Sequence, residues 1–354
     1  MRLLTIFTQY FFIIPFFHVL IITLSYYDIN TIFASQEVIL DNFTSNSLND
    51  IDKKYDKSIV KIVAVDSNGH KTEGSGFIFD KNGHIITDYH LSVGKDNIFV
   101  TFYDGSTYKA FSVGGEETIP CGPNLLSIPD LSKEKIVPLT ISDSKTFTVG
   151  EKVLSVGKLN GSLESKTGTI IGLNNVLPET ITNYKFPIAD IMYLNINTNT
   201  SSYGAPILNS EGEVIGMNLA TSTWNYNPDD LAFVVPSNTI NKITSSLKSE
   251  GIFEHPWIGI SGNNTAGNTK LNIPEGILIK EIVANSPASK SNLKVGDIII
   301  KIDNTTTRTA DDFLNYLQRE KEIGDSLNVT VYRNGIIEDV ILILEARPQL
   351  QYLF

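Results

Sequence analysis

From Ser58 onward the chain alternates short runs of β-branched and apolar residues with clusters of turn formers. The runs "SIVKIVAV", "GSGFIFD", "GHIITDY", "NIFVTFY" and "KVLSVG" are separated by Gly, Asn and Asp groups such as "DSNG" and "DKNG", the composition of strands bounded by tight turns. "GTIIGL", "IMYLNI", "APILN" and "EVIGMNLA" continue the pattern, and "PSNTINKITSSLKSEG" closes it with helical spacing and a glycine stop. Strands this short and this numerous predict a mainly β architecture of barrels or a sandwich.

After Gly251 the pattern changes. "HPWIGISGNNTAGNTKLNIPEG" leads into the strand "ILIKEIV", a short "SPASKSN" helix and the strand "DIIIKIDN". Thr309 and Asp312 then form a capping-box-like start for "ADDFLNYLQREK", with Ala310, Phe313, Leu314 and Leu317 on one face. "SLNVTVYR" and "IEDVILILEA" follow around an Asn334-Gly335 hairpin turn. About 95 residues of this mixture, at the size of a small domain, make an α+β or partly open barrel module. The expected divisions are an N-terminal segment (1–35), a linker (36–54), a first domain (55–250), a second (253–348) and a tail (349–354).

The N-terminal segment changes where the rest is placed. Arg2 precedes "LLTIFTQYFFIIPFFHVLIITL", about 22 residues free of charge and roughly 33 Å long as a helix, enough to span a bilayer. That length favours an uncleaved anchor; the alternative is a cleaved signal, with "TIFASQ" offering a cut after Ala34. Either way the domains are expected outside the cytoplasm, membrane-anchored or, after cleavage, secreted. The polar stretch "QEVILDNFTSNSLNDIDKK" reads as the tether. Six Asn-X-Ser/Thr sequons, at Asn42, Asn160, Asn199, Asn263, Asn304 and Asn328, fit export, though in a chain this rich in Asn, Ser and Thr most arise by chance.

Composition narrows the partners. With 354 residues and 42% hydrophobic content the chain can bury a sizeable core, and a formal charge of −11 leaves no basic stripe for nucleic acid. Cys121 is the single cysteine, so no intrachain disulfide forms. Of His18, His70, His84, His90 and His255, only His84 and His90 lie close in sequence, without an acid at ligand spacing. No metal or cofactor is expected.

The motifs "GSGFIFDKNGHIITDYH", "VGEKVLSVG", "GAPILNSEGEVIGMNLA" and "FVVPSNTI" stand in the order and spacing of the HtrA (Deg-type) serine proteases, which this chain resembles over nearly all of residues 57–348. "HPWIGI" and "ILIKEIVANSPASKSNLKVGDIIIKIDN" resemble the family's PDZ domain. The resemblance implies a chymotrypsin-like double β-barrel followed by one PDZ domain, a role in protein quality control, peptides or unfolded proteins as partners, and a homotrimer. Activity is a separate matter, because function resides in the site.

Proteolysis by this fold needs a nucleophilic hydroxyl, an imidazole, a carboxylate to orient it and backbone N–H donors for the oxyanion. By resemblance His90, in "TDYHL", holds the imidazole position. The acid position falls in "CGPNLLSI" on Asn124, and an amide cannot stabilise an imidazolium; Glu116, Glu117 and Asp130 are the nearby carboxylates available as substitutes. The nucleophile loop reads Ser201, Ser202, Tyr203, Gly204, Ala205, with Tyr203 in the place of serine. A phenol is mostly un-ionised at pH 7, its oxygen lies too far out, and its ring occupies substrate space. Ser201 replaces the glycine that, with Gly204, shapes the oxyanion loop. Degenerate catalysis is therefore the leading expectation. An active endopeptidase using Ser202, Ser201 or Cys121 is the alternative, and a membrane adaptor working through the PDZ domain is a third. For peptide binding the resemblance places the carboxylate loop at Gly276, Ile277, Leu278 and Ile279, with Phe313, Leu314 and Leu317 as the opposite wall. The chain's own end, Tyr352 to Phe354, resembles a PDZ ligand.

Overall fold

In a computed structural model the described residues are 54–115, 122–178, 187–221, 230–268 and 273–348. The N-terminal segment, Glu116, Glu117, Cys121 and the C-terminal tail with Tyr352 and Phe354 lie outside them.

The first set of alternating runs forms β1 (Ile59–Val65), β2 (Lys71–Ile78), β3 (Ile85–Asp88), a one-turn helix α1 (Tyr89–Ser92), β4 (Asn97–Thr101), β5 (Thr107–Gly115) and β6 (Pro123–Ser127). These strands close into a barrel in the order β1-β2-β3-β6-β5-β4. Its core takes alternate residues, Val60, Ile62 and Ala64 from β1, and Ile85, Val100 and Leu126 from neighbours.

The second set gives β7 (Lys152–Leu159), β8 (Ser162–Leu177), β9 (Ile188–Leu194), β10 (Pro206–Leu208), β11 (Val214–Asn218) and β12 (Ala232–Pro236). It too closes, in the order β10-β11-β12-β9-β8-β7, around Val153, Ile170, Met192, Leu194, Ile207, Ile215 and Val234. Two six-stranded barrels of antiparallel strands make the chymotrypsin-like architecture. Helix α2 (Ser237–Glu250) follows and ends on Gly251, whose φ of +76° is the left-handed stop that glycine supplies without strain.

The last region contains β13 (Pro256–Trp257), β14 (Ile260–Asn268), β15 (Ile273–Ile282), α3 (Pro287–Lys290), β16 (Ile298–Ile302), β17 (Thr305–Thr306), α4 (Ala310–Glu320), β18 (Ser326–Arg333), β19 (Ile336–Ile343) and β20 (Glu345–Ala346). Its sheet runs β14-β15-β16-β18-β19, and α4 packs Phe313 and Leu317 into the core beneath it. The capping box read from Thr309 and Asp312 is formed in both directions. The hairpin turn at Asn334 and Gly335 has positive φ at both residues, +51° and +87°, as a type I′ turn requires. The Gly- and Asn-rich stretch after Trp257, read from sequence as a lead-in, is instead strand β14, held by eight register positions against β15. Pairing overrides weak strand propensity there. No helix among the described residues is long and apolar enough to cross a membrane.

Candidate active site

The cleft side of the first barrel is built by the end of β3. Asp88, the last residue of that strand, is fully buried, and its Oδ1 accepts the N–H of His90 at 2.7 Å, capping α1. Its Oδ2 accepts the N–H of Ala220 at 3.0 Å from the second barrel. One carboxyl thus fixes the helix that carries the imidazole and ties it across the cleft. Burial raises the Asp88 pKa to about 7 even though both N–H donors favour the ionised form; desolvation outweighs two hydrogen bonds.

His90 is half-buried, and its ring makes no hydrogen bond to any described residue. Burial, and then the charge of Lys95, hold its pKa below the ordinary imidazole value. Asn124 lies next to β3, opposite Thr87. Its amide is spent elsewhere: Nδ2 donates to Ser92 Oγ and Oδ1 accepts from Ser112 Oγ at 2.8 Å. Asn124 bonds Ser92 and Ser112 and makes no bond to the imidazole. Asp130 stands in a turn with φ of +56° and forms no bond to His90. His84, the other histidine nearby in sequence, bonds Asp80 through Nδ1 at 2.8 Å.

The second barrel supplies the nucleophile loop, where Thr200–Ser202 form a single 3₁₀ turn capped by Asn199. Asn199 Oδ1 accepts from Ser202 N at 3.2 Å, Ser202 Oγ at 3.1 Å and Ser201 Oγ at 2.6 Å. Ser201 Oγ also donates to Glu164, which receives Asn199 Nδ2 as well. The Ser201 hydroxyl, more than any other group, holds the Glu164 carboxyl below its usual range. Both serines beside Tyr203 are buried and bonded within the loop, and neither hydroxyl reaches His90.

Tyr203 is 7% exposed and packs with Leu91 of α1 and with Ala220. Its ring sits between the helix of His90 and the segment tied to Asp88. The Tyr203 N–H turns back to Thr200 O at 3.4 Å, a long bond inside the 3₁₀ turn, and so does not project toward a developing oxyanion. Gly204 has φ of +73°, and a Cβ there would stand 2.3 Å from Ser75 O and 2.8 Å from Thr87 Oγ1. That glycine is required by both backbone and space.

The small domain corrects one expectation. Gly276, Ile277, Leu278 and Ile279 lie on β15, an inner strand: Ile277 faces Asn264 on one side and Ile299 on the other. With both edges paired, β15 cannot accept a peptide strand. The edge that borders α4 is that of β14, whose Asn264 Oδ1 accepts the N–H of Ala310 at 2.8 Å. On α4, Phe313 and Leu317 serve the core, while Leu314 and Leu317 line a small cavity with Pro123, Ile188, Val235 and Ile243 of the barrel region.

Sequence reasoning did not single out Asp88, Glu164 or the barrel-facing side of α4, and it noted Asn199 only as a sequon. A signal for Asp88 was present, since an Asp before a turn that starts "YHLS" is a helix cap. On the same side of α4, Asn315 Oδ1 accepts Asp190 N at 2.7 Å, and Asn315 Nδ2 donates to Asn174 O at 2.6 Å. From α2, Lys242 Nζ caps the end of α4 at the carbonyls of Gln318 and Lys321, 2.8 and 2.6 Å away.

Double barrels of this order, with the imidazole on one and the nucleophile loop on the other, define the trypsin-like peptidase fold, and the appended sheet and helix define a PDZ module. The trypsin-like peptidase domain family matches residues 74–217 and the PDZ domain family residues 256–344. The chain is 30% identical over 289 residues to Serine protease Do-like HtrA of Lactobacillus helveticus, covering 77% of this chain and 68% of that protein. It is 27% identical over 339 residues to Serine protease Do-like HtrB of Bacillus subtilis, covering 85% and 73%. The structure of the HtrA-type protease AlgW with a tripeptide aligns with a TM-score of 0.71 at 20% identity, over 86% of this chain and 98% of that one. The chain belongs to the HtrA family of trypsin-like serine proteases with a C-terminal PDZ domain. It spans 60 to 73% of the length of the first curated relatives it matches.

Proposed function

We propose that this chain is an extracytoplasmic HtrA-family protein of quality control that binds peptides or misfolded proteins and does not cleave them. Residues 55–250 act as the barrel platform and 253–348 as the PDZ module, with residues 1–35 holding both at the membrane and trimers as the working unit. The observation that carries this reading is the closed nucleophile loop. Tyr203 is buried between Leu91 and Ala220, both adjacent serines are bonded to Asn199, and the His90 ring bonds no described residue. A hydroxyl without a base, and a base without an acid, cannot run acyl transfer at a useful rate.

For peptide binding, an extended C-terminal segment adds to the edge of β14, next to α4, the mode by which a free strand edge supplies backbone hydrogen bonds to a ligand. AlgW, solved with a tripeptide and with a decapeptide, supports a peptide ligand for this class of module. The extracytoplasmic placement is supported by relatives described as periplasmic endoproteases and by the apolar N-terminal run.

The experiment is unfolded-casein digestion and fluorophosphonate labelling of the full-length protein, beside its affinity for a fluorescent peptide. We expect binding without cleavage and without label. Cleavage abolished by His90→Ala or by Ser202→Ala would overturn the proposal and establish an active endopeptidase.

A further inference from the structure

The two edges of the PDZ sheet are built differently. The β14 edge is rich in Gly and Asn, has a register shift between Ser261 and Gly262, and is tied to α4 through Asn264. The β19 edge has none of these features. It pairs with β18 at eight consecutive positions without a bulge, and it carries Ile336, Ile337, Ile341 and Ile343 at 62, 64, 69 and 53% exposure. Natural sheets blunt such edges with Lys, Pro or bulges, because an open apolar strand recruits another strand. Between Ile336 and Ile343 there is no Lys and no Pro.

The backbone direction of β19 follows from its neighbours. Leu344 exchanges bonds with Gly324 and Asp325 on the β18 side, at 2.9 Å each. Asn328, opposite Ile341, gives its carbonyl to Asp303 N at 2.7 Å, away from β19. Because bonding alternates along an antiparallel strand, Ile337, Asp339, Ile341 and Ile343 point their N–H and C=O groups outward.

We propose that this edge pairs with β19 of a second copy of the chain, antiparallel about a two-fold axis at Val340. Ile337 then opposes Ile343 of the second copy and Asp339 opposes Ile341, each pair exchanging two hydrogen bonds and each occurring twice. This register leaves no acid facing an acid. Sliding it by two residues toward the hairpin sets Asp339 against Asp339. Glu338 does not interfere, since Arg333 Nη1 holds it at 2.6 Å. A foreign peptide fits less well, because specificity in strand addition comes from pockets for alternate side chains, and none of the cavities described here reaches β18 or β19. Anionic membrane fits less well still, given Glu338 and Asp339. One strand pair buries less than the roughly 1,200 Å² of a standard interface, so the association is weak in dilute solution and grows with local concentration, as tethering provides.

The test is sedimentation velocity of the full-length protein in mild detergent, across concentration. A reversible doubling of mass is expected. Ile341→Glu sets an acid opposite Asp339 at both symmetry-related pairs and weakens the doubling on the order of tenfold. Ile341→Lys, equally exposed and so a control for folding, preserves it by facing the same Asp339. In a Cys121→Ser background, Ile337→Cys with Ile343→Cys oxidises to a covalent dimer, and Ile337→Cys alone does not. Equal weakening by Glu and Lys would replace edge pairing with packing of sheet faces. Doubling indifferent to both, or casein binding lost at unchanged mass, would remove self-pairing altogether; cleavage assays do not enter any of these outcomes.

Discussion

The two walls of the cleft hold their side chains in different ways. On the first barrel the imidazole is presented by a turn that Asp88 caps, and its ring bonds no described residue. On the second barrel the nucleophile loop has closed on itself, with Ser201 and Ser202 held by Asn199, and Tyr203 set into the space against Leu91. The lesson is that the loop's backbone is determined by groups outside the triad. Ser75 Oγ donates to Ser201 O at 2.7 Å, Ser75 N donates to Tyr203 O at 2.8 Å, and Gly204 fits where no side chain can. Such a frame does not depend on which side chains stand at positions 90, 124 and 203.

The largest expected effect comes from reversing that divergence. Tyr203→Ser alone leaves casein hydrolysis at background, since Asn199 and Glu164 still hold the loop and Asn124 still serves Ser92. The triple change Asn124→Asp, Ser201→Gly, Tyr203→Ser removes the Glu164 anchor, opens the oxyanion position and returns an acid to the imidazole. Hydrolysis should then rise by on the order of 10³-fold or more, about 4 kcal/mol of transition-state stabilisation. If Tyr203→Ser alone reached the same rate, the second wall would not be closed in the sense argued here.

Next in size is Gly204→Ala. A Cβ 2.3 Å from Ser75 O, on a residue at φ of +73°, combines a backbone clash with left-handed strain and should cost about 3 kcal/mol. Urea unfolding measures it. A loss below about 1 kcal/mol would mean that the loop adapts, and that the frame is less fixed than its hydrogen bonds indicate.

Asp88 sharpens the comparison by its pH dependence, because its carboxyl joins the walls. Its folded pKa of about 7 stands above the ordinary 3.8, so between those values the folded state binds the extra proton. Stability therefore falls as pH rises from about 4 to about 7, and this group adds no further change above that. Asp88→Asn removes the titration, and the difference in stability between the two proteins should shift in favour of the variant by on the order of 2 to 3 kcal/mol across that window. Parallel melting curves at pH 5 and pH 7.5 for the two proteins would show that Asp88 is ionised in both.

Much of this molecule was legible in its sequence, and the exceptions have physical causes. Strands such as β1 and β4 show their alternation, and the caps at Thr309 and Gly251 are local chemistry. What escaped was decided by distant pairing. β14 is composed of residues that disfavour strands and is made a strand by β15, which leaves Gly276–Ile279, read from the resemblance as a carboxylate loop, on an inner strand and β14 at the edge of the sheet. Ser201 and Ser202 are ordinary hydroxyls until Asn199 and Glu164 fold over them, 35 residues apart in sequence. The apolar face of α4 was read correctly, yet its polar neighbours Asn315 and Arg319 gave no sign of their partners on β8 and β9.

That polar face of α4 gives the smallest effect and extends the comparison from the cleft to the second barrel's outer side. Asn315 is buried, and its amide satisfies one N–H at Asp190 and one carbonyl at Asn174, both residues with positive φ. Arg319 Nη1 adds a bond to Asn174 Oδ1 at 2.6 Å. Asn315→Ala strands the buried Asp190 N–H and should cost about 1 to 2 kcal/mol, a fall in Tm of roughly 2 to 4 °C for a chain of this size. Asn315→Asp keeps the acceptor for Asp190 N but sets a second carboxyl near the buried Asp190, whose pKa burial already raises, so it should destabilise at pH 8 more than at pH 5. If the second barrel is a platform for the peptide module, both variants change peptide affinity while the Tyr203 triple variant retains its hydrolysis when combined with Asn315→Ala. Were hydrolysis lost and peptide affinity unmoved, α4 would be supporting the cleft and not the groove.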